Sequence, residues 1–93
     1  MIYEWDPAKA QANLKKHGLT FEEGASVFHD PFALTFDDPD HSEMERREIT
    51  IGRSQKQIVA FVAHCPRRDR IRIISARKAT TRERKQYEQN IGA

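Results

Sequence analysis

An α+β fold, with two N-terminal helices, a mainly antiparallel sheet and a C-terminal helix, is predicted for this 93-residue chain by three observations. Apolar residues recur at helical spacing near the start and near the end, and alternate at period two in between. Two capping boxes, Thr20 with Glu23 and Thr80 with Glu83, mark helix starts on either side of the alternating stretch. The turns between the last three alternating segments are too short for crossover helices, so these segments form an antiparallel meander.

IYEW at 2–5 alternates and reads as a short first strand. Asp6 caps the next segment, and Pro7 suits a first helical turn, where its missing N–H is no loss. The helix PAKAQANLKKH runs to Gly18, a C′ stop after Lys15, Lys16 and His17. Thr20 opens a second short helix with Phe21, Ala25 and Phe28 on one face, halted at Asp30–Pro31. Phe32, Leu34 and Phe36 share a face of a possible strand, and DDPDHSEME follows as a polar loop. EITIGR at 48–53 sets Ile49 and Ile51 against Glu48 and Thr50. SQKQ then turns the chain into IVAFVAH at 58–64, apolar on both faces and so a central strand. CPRRD is read as a turn, RIRIISAR at 70–77 as the next strand, and 80–90 as a helix. One sheet face is expected to bury Ile49, Ile51, Ile71 and Ile73 together. Without repeats or a linker, residues 1–93 are read as one domain.

A charged fraction of 32% and a mean hydropathy of -0.80 suit a soluble protein. No apolar run approaches the ~20 residues of a membrane span, and no signal-peptide core follows Met1. A cytoplasmic location is expected. A chain of this size buries only roughly 60–65% of its unfolded surface, which leaves room for a partner to add stability. Cys65 is the single cysteine, so an internal disulfide and a thiolate metal cluster are excluded.

The net charge of +2 conceals an asymmetry. Residues 1–45 carry a balance of -7 and residues 46–93 a balance of +9. Much of the positive charge lies in RDRIRIISARKATTRERKQYE, residues 68–88. By strict alternation Ile71, Ile73 and Ser75 point one way, while Arg70 and Arg72 point the other, on a face expected to stay open. Arg77 and Lys78 emerge at the strand end, and Arg82, Arg84 and Lys85 continue along the helix. Guanidinium groups grip phosphate bidentately, and several on one surface attract a polyanion. A solvated sheet face beside a salt-bridged helix fits the same pattern.

His17 is a candidate acid or base and equally a capping residue. His29 and His41 sit by turns and read as solvated, and His64 reads as structural. The absence of H-E-x-x-H, C-x-x-C and a spaced histidine pair argues against zinc. Asp37, Asp38, Asp40, His41, Glu43 and Glu45 form an acidic loop without the glycine and terminal glutamate of an EF-hand. Tyr87 lies on the stripe Thr80, Arg84, Tyr87, Ile91, as a packing residue or as a phenol offered to phosphate.

EWD at 4–6, KHG at 16–18 followed by TFEEG, VFHDPFAL, DDPDHSE, RREITIGRS and RIRIISARKATTRERKQYE resemble the BrnT family in order, from about residue 2 to 88. The most specific pieces are KHG-x-x-F-E-E and R-I-I-S-A-R-x-A-[ST]-x-x-E-R-x-x-Y. The resemblance implies a RelE-like fold and a toxin of a bacterial type II toxin–antitoxin module. It implies a ribonuclease that arrests translation and growth, neutralised by a BrnA-type antitoxin. Operator DNA would be contacted only through the toxin–antitoxin complex. The implied chemistry uses no metal or cofactor: a ribose 2′-hydroxyl attacks the neighbouring phosphate of RNA. For that reaction Arg72 and Arg77 are the expected phosphate stabilisers and His17 the expected proton carrier, imidazole being the side chain that titrates nearest neutrality. Tyr87 and Lys16 are further candidates for orientation or protonation. Arg70, Lys78, Arg82, Arg84 and Lys85 are expected to bind RNA or antitoxin. The alternative from another class is a non-catalytic basic module that only docks an antitoxin or nucleic acid.

Overall fold

The computed structural model describes residues 1–41 and 45–92. The chain forms β1 (Ile2–Glu4), α1 (Pro7–His17) and α2 (Phe21–Ala25), the last continued by a 3₁₀ turn over Ser26–His29. Then follow β2 (Leu34–Asp37), β3 (Glu48–Arg53), β4 (Val59–Arg67), β5 (Arg70–Lys78) and α3 (Thr81–Gly92). The five strands lie in the order β1-β5-β4-β3-β2. Only β1 against β5 is parallel, so the sheet is mixed, with the expected meander at its centre.

The helix boundaries follow from local chemistry. Asp6 Oδ1 accepts the Ala8 N–H at 2.8 Å, and Gly18 closes α1 at φ 74°, a left-handed conformation that glycine adopts without a Cβ clash. Thr80 Oγ1 accepts from Glu83 N at 3.2 Å while Glu83 Oε1 accepts from Thr80 N at 2.9 Å, a reciprocal capping box. The first box is one-sided. Thr20 Oγ1 accepts from Glu23 N at 3.0 Å, but the Glu23 carboxylate accepts instead from Ser54 Oγ at 2.9 Å. It thereby ties α2 to the β3–β4 turn.

The register corrects two expectations about the sheet. Ala63 pairs with Ser75 but His64 pairs with Ile73, so Ile74 is an extra residue, a β-bulge in β5. Past the bulge the parity reverses: Ser75 leaves the Ile71–Ile73 face, and Arg77 joins the face of Arg70 and Arg72. Nor do the four isoleucines share a face. Ile73 packs with Leu19, Phe21, Val27, Val62 and Ala76 under α1 and α2, with Ile71 at the edge of that core. Ile49 and Ile51 pack with Val59, Ala63 and Tyr87 under α3. Helices therefore cover both sides of the sheet, and the arginine face is open only beyond α3. CPRRD is not all turn either. β4 runs to Arg67, and the reversal is confined to Arg68, at φ 54°, and Asp69.

Asn13 fastens α1 to the sheet. Its side chain donates to the carbonyls of Leu19 (3.0 Å) and Ala76 (2.8 Å) and accepts from Ala76 N at 3.1 Å. A buried amide with these bonds satisfied fixes the helix at one height along β5.

Candidate active site

The bulge gathers Arg70, Arg72 and Arg77 on one face, but two of the three already hold carboxylates. Arg72 is bound to Glu45, which also accepts from Arg67 at 3.2 Å and from the Cys65 thiol at 3.4 Å. Arg67, and then the thiol, hold the Glu45 carboxyl below the usual carboxylate range. Arg77 lies 3.9 Å above the Phe61 ring, and its amino groups donate to the two Glu83 oxygens at 2.8 and 3.0 Å. Burial pushes the Glu83 carboxyl up, yet its bonds to Arg77 and the Thr80 N–H outweigh that and hold it low. Arg70 stands exposed beside the β4–β5 turn. Of the acidic loop, Glu43 lies outside the described residues.

The expected proton carriers lie elsewhere. His17 and Lys16 end α1, in the layer against the opposite face of the sheet from Arg72 and Arg77. Lys16 is exposed and His17 half-buried. Tyr87 is only 1% exposed, and its hydroxyl donates to Asp30 Oδ2 at 2.5 Å. Burial, and then the neighbouring Asp30 carboxylate, push the phenol pKa up. Tyr87 is thus packed and bonded internally rather than offered to solvent.

Asp30 is the hub beneath this region. Besides Tyr87, its carboxylate accepts the N–H of Arg53 at 2.8 Å and of Phe32 at 2.9 Å. Burial opposes its ionisation, but these donors hold its pKa below the ordinary value. Arg53 is fixed at both ends. Its backbone is bound to Asp30, and its guanidinium lies 5.9 Å from the Tyr87 ring and donates to the Gln57 carbonyl at 3.3 Å.

Around Arg53 the exposed cations converge. A cleft of about 320 Å³ between the β3–β4 turn, the end of β5 and α3 is lined by Arg53, Gln57, Lys78, Arg84 and Glu88. An adjoining cleft of about 320 Å³ is lined by Ser26, His29, Arg53, Gln55 and Gln57, with Asp30 at its base. Shared Arg53 and Gln57 make them one polar groove. Among the described residues, the side chains of His29, Lys78, Arg84 and Glu88 have no hydrogen-bond or ion-pair partner. These side chains are available to a ligand. Arg82 and Lys85 are also exposed on α3.

Of the predicted residues, Lys78 and Arg84 enter the groove, while Arg77, Arg72, His17 and Lys16 do not line it. Arg53 and His29 were missed. Their only sequence signals were a cation one step before a turn and a histidine before the Asp30–Pro31 stop. Their convergence depends on Asp30 reaching across to β3, 23 residues away.

Comparison with known proteins identifies the family. A family model for the ribonuclease toxin BrnT of type II toxin–antitoxin systems matches residues 5–83. The crystal structure of the Brucella abortus ribonuclease toxin BrnT matches with a TM-score of 0.67 and 26% identity, covering 87% of this chain and 100% of that one. No curated protein matches. The match spans well over half of the sequence, from α1 to the start of α3: the chain belongs to the BrnT family of type II toxin–antitoxin ribonuclease toxins.

Proposed function

We propose that the protein is a metal-independent endoribonuclease with a RelE-like design, and that it cuts RNA, arrests translation and growth, and is neutralised by a BrnA-type antitoxin in the cytoplasm. Operator DNA is reached only through the toxin–antitoxin complex. The observation that carries this reading is the groove in which Arg53, Lys78 and Arg84 converge, in a member of a family of ribonuclease toxins. Three cations around one polar cleft suit a phosphate whose charge rises as a pentacoordinate transition state forms. In the reaction the ribose O2′ forms a bond to phosphorus and the bond to O5′ breaks. The products are a cyclic phosphate and a 5′-hydroxyl. Arg82 and Lys85 extend the basic surface along α3 for the flanking RNA backbone, and Arg77 borders it once Glu83 lets go.

A second use of the neighbouring face is favoured by a specific observation. Arg72 and Arg77 both hold carboxylates, from Glu45 and Glu83. With Arg70 they form a surface suited to acidic side chains of an antitoxin.

The test is to incubate the purified protein with RNA in excess chelator and map the new ends. Fragments with 5′-hydroxyl and cyclic-phosphate ends are expected, and Arg53→Ala should abolish them. Intact RNA under these conditions, with growth arrest on expression, overturns nuclease action. Intact RNA with antitoxin binding and no arrest leaves a binding module.

A further inference from the structure

We propose that His29 and Glu88, which line the two clefts that meet at Arg53, are the proton-transferring pair of the groove, with Glu88 as the base that activates the 2′-hydroxyl and His29 as the acid that protonates the leaving 5′-oxygen. This rests on the RNA-cleaving reading above and names the residues that perform it.

The placement follows from one hydrogen bond. Tyr87 donates to Asp30 at 2.5 Å, and His29 and Glu88 are the chain neighbours of that bonded pair. Docking α3 onto the turn before β2 therefore brings both titratable groups to the groove. Each then lines a different cleft: His29 the one toward the 3₁₀ turn, Glu88 the one toward α3. Arg53 and Gln57 line both, so the clefts of acid and base share one cation.

That order suits the reaction. Displacement at phosphorus is in line, so the attacking O2′ and the departing O5′ lie on opposite sides of the phosphate. The group that removes the proton and the group that supplies one must flank the phosphate in the same way. A cation between them meets the non-bridging oxygens. The balance closes: the 2′-hydroxyl proton passes to the Glu88 carboxylate, O2′–P forms, P–O5′ breaks, and imidazolium delivers its proton to O5′.

Both groups are free to act. His29 and Glu88 are exposed, and neither has a partner among the described residues. The other carboxylate at the groove, Asp30, is occupied by three donors. His64, buried at 2% exposure beneath Phe28, has no access to a substrate.

The test uses a short single-stranded RNA and the same RNA with sulfur replacing the 5′-bridging oxygen at the cut site. A thiolate leaves without protonation. His29→Ala should slow cleavage of the normal RNA by roughly 10²–10⁴-fold, yet cut the sulfur-substituted RNA at close to the wild-type rate. Glu88→Gln should slow both substrates. Affinity for an RNA with a 2′-deoxy block should stay within about threefold of wild type for both variants, which separates chemistry from folding or binding. His29→Asn serves as a second, polar replacement. If wild type cuts the RNA and His29→Ala and Glu88→Gln cut equally well, or His29→Ala slows both substrates alike, the assignment is overturned and the nuclease reading stands. If wild-type protein leaves the RNA intact, the nuclease reading fails and this assignment with it.

Discussion

The Tyr87 hydroxyl donates to Asp30 Oδ2 at 2.5 Å, joining the last helix to the turn that precedes β2 across 57 positions of sequence. Asp30 in turn anchors the Arg53 backbone. One carboxylate therefore fixes the relative positions of α3, the 3₁₀ turn and the end of β3, the three walls of the groove.

Removing that hydroxyl tests whether Tyr87 is architectural. Tyr87→Phe leaves a partly buried carboxylate short of one donor, and should lower unfolding stability by about 1–3 kcal/mol in urea titrations. RNA cleavage per folded molecule should fall only modestly. Abolished cleavage at unchanged stability would instead make the phenol catalytic.

His64 should make stability depend on pH. It is buried, its Nε2 lies 2.7 Å from Thr50 Oγ1, and its Nδ1 is 3.9 Å from Glu48 Oε1, too far for a hydrogen bond. Burial lowers its pKa from 6.5 to about 4. The unfolded chain thus binds a proton that the folded one refuses. Stability is full above the unfolded pKa and is lost as pH falls toward the folded one, by up to about 3 kcal/mol. Melting temperature should drop between pH 6.5 and 4 in wild type, and His64→Gln should flatten that drop. Glu83, Asp30 and Glu45 have depressed values, so what they contribute is present above the ordinary carboxylate range and is lost as pH falls below it.

Glu83 joins the cap of α3 to Arg77. Glu83→Gln should cost about 1–2 kcal/mol through the weakened cap and ion pair, while freeing Arg77 for an anion. RNA affinity measured by anisotropy should rise as stability falls. Unchanged affinity would place Arg77 outside the RNA contact and leave it to the antitoxin.

Salt dependence reports how many cations meet the backbone. For single-stranded nucleic acid, each released counterion contributes a slope of about 0.7 in log affinity against log salt. Lys78→Ala and Arg84→Ala should each reduce the slope by about that amount. Lys16→Ala, on the other layer, should leave it unchanged.

Gly24 marks a contact too close for any side chain. A Cβ there would lie 2.9 Å from the Ala76 Cβ, where α2 rests on β5. Gly24→Ala should therefore destabilise the protein by about 1–3 kcal/mol, read as a lower urea midpoint.

Local rules in the sequence by itself determined the helices, their caps and the central meander. Asp6, Gly18, Thr20 and Thr80 act on neighbours within a few positions, and the alternation in EITIGR needs only its own strand. Family membership was legible for the same reason, since the motifs are contiguous. The tertiary structure alone decided which charges meet. Alternation presumes an unbroken ladder, and Ile74 breaks it, a slip visible only when β4 is laid against β5. Arg72 and Arg77 looked available because Glu45 and Glu83 had not yet been brought to them. Arg53 and His29 looked incidental because Asp30 had not been brought to Arg53, nor Tyr87 to Asp30. Hydrophobic burial pulls α3 and the 3₁₀ turn onto the sheet without regard to sequence distance. The groove is a product of that collapse.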